Sequence, residues 1–183
     1  MKAAIFFSGR YGSTAQYAKW IGDATGFPVF DVKDTNADPS NYDLLILGSS
    51  VIIYKLTIRQ WVDAKLASIE DKPIILFTVS GAPAGPKLDG WIAESLPGNR
   101  LSRMDHVALR GRQIPAELSW WHRLTLIIGA WKNDDPVARK EELEGFDFMD
   151  KSSIEPILEL VRKFQSGVAG SPKHANSAQV TLD

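Results

Sequence analysis

The chain opens with an apolar run, Ala3-Ala4-Ile5-Phe6-Phe7, that passes directly into Ser8-Gly9-Arg10-Tyr11-Gly12-Ser13-Thr14 and then into a helical pattern. A strand that ends in small, hydroxylated residues and glycines before a helix restricts the fold to a strand-turn-helix unit whose turn can cradle an anion. The hydroxyls of Ser8, Ser13 and Thr14, with the free N–H groups of the first helical turn, can surround a terminal phosphate whose charge the helix dipole favours. The alternative is an ordinary turn with a Ser/Thr cap.

Apolar runs and amphipathic patterns then alternate five times, which predicts an α/β fold with a parallel sheet flanked by helices. Strands are expected at Lys2 to Phe7, Pro28 to Val32, Tyr42 to Gly48, Pro73 to Ser80 and Asp105 to Leu109. Pro28 places the second at an edge. Helix one, Thr14 to Thr25, is expected to bury Ala18, Ile21 and Ala24 and to stop at Gly26. Helix two, Thr57 to Ile69, carries Ile58, Trp61, Val62, Leu66 and Ile69 on one stripe. Two further helices are expected, Leu88 to Leu96 and Ser153 to Phe164.

Ligands of such a sheet bind outside the C-terminal ends of its strands, where the strand order reverses. Three loops are expected to meet there. The first is the cradle. The second, Ser49-Ser50-Val51-Ile52-Ile53-Tyr54, is apolar for a surface turn and suits a flat apolar ligand, or else folds back onto the core. The third, Ser80-Gly81-Ala82-Pro83-Ala84-Gly85-Pro86, is small enough for its backbone to bond the edge of a planar ring, or is a plain connector.

Composition removes other chemistries. With 183 residues, one domain is expected over 1–166, followed by a flexible tail at 167–183. With 21 basic against 22 acidic residues, the chain offers no field for nucleic acid. The lack of cysteine excludes disulfides, thiolate catalysis and iron–sulfur ligation, and His106, His122 and His174 are too scattered for a metal site. The N-terminus reads as neither a signal peptide nor a spanning helix, so a cytoplasmic location is expected. Neither the dinucleotide fingerprint nor a P-loop Gly-Lys-Ser/Thr is present. Asp31 reads as a surface residue.

With Ser8, Gly12, Ser13 and Thr14 in the first loop and the character of the other two, residues 2 to 165 resemble the flavodoxin superfamily. That resemblance implies a three-layer sandwich around a five-stranded parallel sheet of order 2-1-3-4-5. It implies FMN as cofactor and redox centre, with its phosphate in the first loop and its ring between the second and third. The implied cofactor residues are Ser8, Gly9, Arg10, Tyr11, Gly12, Ser13, Thr14, Ser50, Val51, Ile52, Ile53, Tyr54, Ser80, Gly81, Ala82, Pro83 and Gly85. Gly9 departs from the superfamily's pattern, which commonly has a hydroxyl residue there, and the departure costs one phosphate bond. A flavodoxin-like fold without cofactor is the remaining alternative.

Between strand five and the last helix stand roughly 40 residues, where a typical connection uses 2 to 6, and ordered insertions of that size usually carry function. The insertion, about 110–150, begins Arg110-Gly111-Arg112 and continues through Trp120-Trp121-His122-Arg123 to Trp131, an apolar helix with a narrow polar face. The helix packs on the core, captures substrate, or makes peripheral membrane contact through 118–131. In position and character the insertion is similar to that of the menaquinone-dependent protoporphyrinogen dehydrogenases. This second resemblance implies an FMN oxidoreductase acting on protoporphyrinogen IX with a quinone acceptor, and substrate contacts at Arg110, Arg112, Trp120, Trp121 and Arg123. The alternative is a flavodoxin-type electron carrier that docks a redox partner protein.

Overall fold

The computed structural model describes residues 1–96, 104–118, 120–121 and 144–167. In chain order its elements are β1 (Ala3–Ser8), α1 (Ser13–Thr25), β2 (Val29–Asp31), β3 (Leu44–Ile52), β4 (Lys55–Leu56), α2 (Arg59–Ile69) and β5 (Ile74–Ser80). They continue with α3 (Pro86–Ser95), β6 (Met104–Arg110), β7 (Arg112–Gln113), β8 (Phe146–Asp147) and α4 (Glu155–Gln165).

The main sheet runs β2-β1-β3-β5-β6, with every neighbouring pair parallel. Counted along the chain, its five parallel strands stand 2-1-3-4-5, the order that the resemblance implied. Successive side chains of a strand point to opposite faces, and helices cover both, which is why the strands read as unbroken apolar runs. On one face Ile5, Ile46, Ile75 and Phe77 pack against Tyr17, Ala18 and Ile21 of α1 and Ile157 and Val161 of α4. On the other, Phe6, Leu45, Leu47 and Leu76 pack against Val62 and Ile69 of α2 and Leu88 and Ile92 of α3. Phe6 anchors that second layer, its ring 5.1 Å from Trp61 and 5.2 Å from Phe30.

Three expectations are corrected. The sheet has a sixth, antiparallel member, because β3 runs past Gly48 to Ile52 and turns back through β4, pairing Val51 with Leu56 and Ile52 with Lys55. Ala24 is exposed; α1 turns Tyr17 and Gly22 inward with Ala18 and Ile21, so its buried stripe lies one residue round from the expected one. The helix expected from Leu88 begins at Pro86, whose fixed φ and missing N–H suit the first turn. Of the expected insertion segment, 118–131, only Leu118, Trp120 and Trp121 are described, and the tail beyond 167 lies outside the described residues. Among the described residues no helix is long and apolar enough to cross a membrane.

β6 closes one edge of the sheet. There His106 Nε2 lies 2.9 Å from the hydroxyl of fully buried Thr78 on β5. Burial holds His106 below its ordinary pKa, against a smaller upward pull from Asp89. A histidine with a depressed folded-state pKa leaves the unfolded chain binding more protons, so its contribution is intact above about pH 6.5 and is lost as pH falls below that value. Urea unfolding between pH 7.5 and 5 is expected to show a stability loss that is shallower in His106→Gln; parallel slopes would assign the pH dependence to other groups.

Candidate functional site

The site grows from the end of β1. Ser8 is buried in the ladder opposite Ser49, and the chain then turns through Gly12, which caps α1 at φ +84° with no side-chain cap bond. Glycine adopts that left-handed geometry without steric cost. A Ser/Thr cap is therefore absent, since the cap residue is Gly12 and the Ser13 and Thr14 hydroxyls bond elsewhere. Thr14 Oγ1 lies 2.7 Å from Ser50 Oγ, joining the first loop to the second. Ser13 Oγ accepts the Arg112 N–H at 3.1 Å and donates to the Arg112 carbonyl at 3.4 Å, joining it to the insertion.

Gly9 is explained by space. A Cβ there would lie 2.9 Å from Thr14 Cβ and 3.4 Å from Ser50 Oγ, so the hydroxyl pair occupies the room a serine or threonine would need. Two further contacts at this loop escaped the sequence reading. Thr57 donates its hydroxyl to the Ser8 carbonyl at 2.7 Å, and Lys33 donates from Nζ to the Gly9 carbonyl at 2.9 Å. The only sequence sign of Lys33 was its place just after the strand beside β1. Arg10 is exposed, its guanidinium carbon 6.0 Å from the Tyr11 ring centre.

The second loop is a strand end and hairpin instead of an open turn. Ser49 and Ser50 belong to β3, where Ser49 Oγ accepts the Ile58 N–H at 3.2 Å and lies 3.3 Å from Thr57 Oγ1. The two-residue turn is Ile53-Tyr54, at φ +47° and +63°. Positive φ at both central positions is the hairpin arrangement normally given to Asn and Gly, so a β-branched Ile53 there is strained. It leaves Ile53 54% and Tyr54 59% exposed at the rim. Tyr54 also packs on Trp91 of α3, ring centres 4.9 Å apart.

The third loop is folded by Ser80 Oγ donating to the Ala82 carbonyl at 2.8 Å, and it leaves Gly81 and Pro83 exposed before Gly85 leads into α3. A Cβ at Gly81 would meet Phe146 Cζ at 2.5 Å, so glycine admits this ring. Phe146 comes from the insertion's far end. It stacks on Phe148 at 4.8 Å, and the Arg110 guanidinium carbon sits 4.0 Å from the Phe148 ring centre. Tyr17 OH donates to the Arg110 carbonyl at 2.8 Å and accepts the Asp150 N–H at 3.2 Å. One hydroxyl thereby clamps both ends of the insertion to α1.

Arg110 Nε is buried without a hydrogen-bond partner among the described residues. Arg112 is exposed and meets Ser13 through its backbone. Trp120 and Trp121 stack at 3.8 Å and are 64% and 62% exposed. Arg123 lies outside the described residues. Among the described residues no group of His, Cys, Asp or Glu is placed to hold a metal.

Residues 4–137 match the family model described as flavodoxin domain. No curated protein matches the chain. Among solved structures, an archaeal flavodoxin shares 20% identity over 68% of this chain and 93% of its own, with a TM-score of 0.45. A flavoprotein in complex with FMN from Lactobacillus acidophilus shares 17% over 60% and 91%, at 0.44. The Trp repressor binding protein of Bacillus subtilis shares 13% over 81% and 100%, at 0.47. These likenesses are distant, and the match along the sequence carries the assignment.

Gly9→Ser puts a side chain where Thr14 and Ser50 meet. Overpacking of this kind typically costs about 1–3 kcal/mol, which denaturant unfolding would detect. Unchanged stability would mean that the hydroxyl pair does not fill this space.

Proposed function

The chain belongs to the flavodoxin-domain family, and from that membership we propose that it is a flavoprotein that binds FMN at the C-terminal ends of β1, β3 and β5 and works in redox chemistry. The observation that carries the reading is the 2.7 Å contact between Thr14 and Ser50, which gathers the first and second loops at one point beside the N-terminus of α1. The residues fit the group. Thr14 and Ser50 satisfy one another where a phosphate would offer both an acceptor, and the first turn of α1 supplies N–H donors. Exposed Ile53 and Tyr54 present apolar surface to a planar ring, and the Ser80–Gly85 loop supplies backbone donors to its edge.

When bound, FMN supplies the electron and hydride transfer that these side chains lack. The chain's own part is to hold and orient it. Ser13 contributes less to a phosphate than its sequence position suggests, because its hydroxyl is engaged on both sides by Arg112.

For the substrate, we read a porphyrinogen as donor and a quinone as acceptor, in the manner of a protoporphyrinogen dehydrogenase. Supporting this are Arg110, a cation held over Phe148 whose Nε has no partner among the described residues and whose guanidinium suits a carboxylate, and the exposed Trp120-Trp121 pair, suited to an apolar acceptor or a membrane surface. The second reading, an electron carrier, is favoured by Ile53 and Tyr54, whose exposed apolar surface a redox partner protein would cover.

The purified full chain is expected to show a flavin absorption spectrum and to release FMN on denaturation. Bleaching by protoporphyrinogen IX and recovery with menadione would support the dehydrogenase reading. A bound flavin indifferent to both would favour the carrier, and a colourless chain that does not take up FMN would overturn the flavin reading.

A further inference from the structure

We propose that Lys33 is a phosphate-binding residue that gives the first loop a fixed positive charge, making the site selective for a phosphorylated ligand over its uncharged counterpart. This rests on the reading of the first loop as a phosphate site. The loop is short of a donor, since Gly9 has no hydroxyl to offer a phosphate and packing against Thr14 penalises adding one. A donor of another kind stands beside that position. Lys33 Nζ is 2.9 Å from the Gly9 carbonyl, and this bond uses one of its three N–H groups.

The ammonium is placed by a pinned turn. The Val32 N–H donates to the Phe7 carbonyl at 3.0 Å, fixing the end of β2 against β1 two residues before Gly9. The Asp31 carboxylate accepts the Lys33 N–H at 3.0 Å, and the Asp34 N–H closes on the Asp31 carbonyl at 3.2 Å. Asp31, read from sequence as a surface residue, thus shapes the turn that delivers Lys33. Among the described residues no carboxylate forms an ion pair with Lys33. Its charge is left for a ligand. A bond between an ammonium and a phosphate oxygen is roughly twice as strong as a neutral one, and at an exposed position it weakens with salt.

The test compares the full chain with Lys33→Met and Lys33→Arg, titrating FMN, riboflavin and inorganic phosphate at low and high ionic strength. Lys33→Met is expected to bind FMN about five- to tenfold more weakly at low salt, to bind riboflavin as the parent does, and to lose most of the salt dependence. Lys33→Arg should recover FMN affinity. Equal loss for FMN and riboflavin would show a purely structural role and overturn the proposal, as would FMN affinity unchanged by Lys33→Met. If the parent binds inorganic phosphate through Lys33 and takes no flavin, the flavin reading fails and this proposal stands. If the parent binds none of the three, both fail.

Discussion

The site depends on one contact between two small side chains. A parallel sheet covered on both faces pairs its backbone polar groups within the ladder, and the chain is free to meet a ligand where the strands end. At that end Thr14 and Ser50, on elements 36 residues apart in sequence, meet at 2.7 Å. Around them Thr57 secures the Ser8 carbonyl and Ser49 secures the start of α2. Gly9 is glycine because this pair fills its space. What appears in the sequence as a loss from the phosphate loop is, in three dimensions, a packing requirement.

The insertion is joined to the same point. Tyr17 clamps both of its ends, Ser13 bonds the backbone of Arg112, and Phe146 lies over Gly81 at the start of the third loop. A ligand in the first loop therefore shares residues with the segment that distinguishes this chain from a bare five-stranded domain. The substrate-capture role proposed for the segment needs it beside the first and third loops, and the ribbon of β7 and β8 joins its two ends there.

The layering was legible because it follows from periodicity. The apolar runs of β1, β3 and β5 and the stripe of α2 are statements about which faces are buried, and burial decided the outcome. The β3-β4 hairpin was not legible, since Ile53-Tyr54 carries none of the Asn or Gly chemistry that marks a two-residue turn, and the pairing of Val51 with Leu56 and Ile52 with Lys55 closes the turn at positive φ. The positions of Ser8, Ser13 and Thr14 were legible, but their partners were not. Arg112, Ser50 and Lys33 come from distant segments, and no local pattern announces a long-range hydrogen bond. The Phe146-Phe148-Arg110 stack was missed for the same reason, being assembled from the two ends of the insertion.

The central claim, that the Thr14 and Ser50 hydroxyls together form the heart of an FMN phosphate site, is tested most directly by a double-mutant cycle on FMN affinity with Thr14→Val, Ser50→Ala and both. Each single change is expected to weaken FMN binding, and the double change to cost clearly less than the sum of the two, since the residues act as one unit. FMN affinity indifferent to all three variants would contradict it.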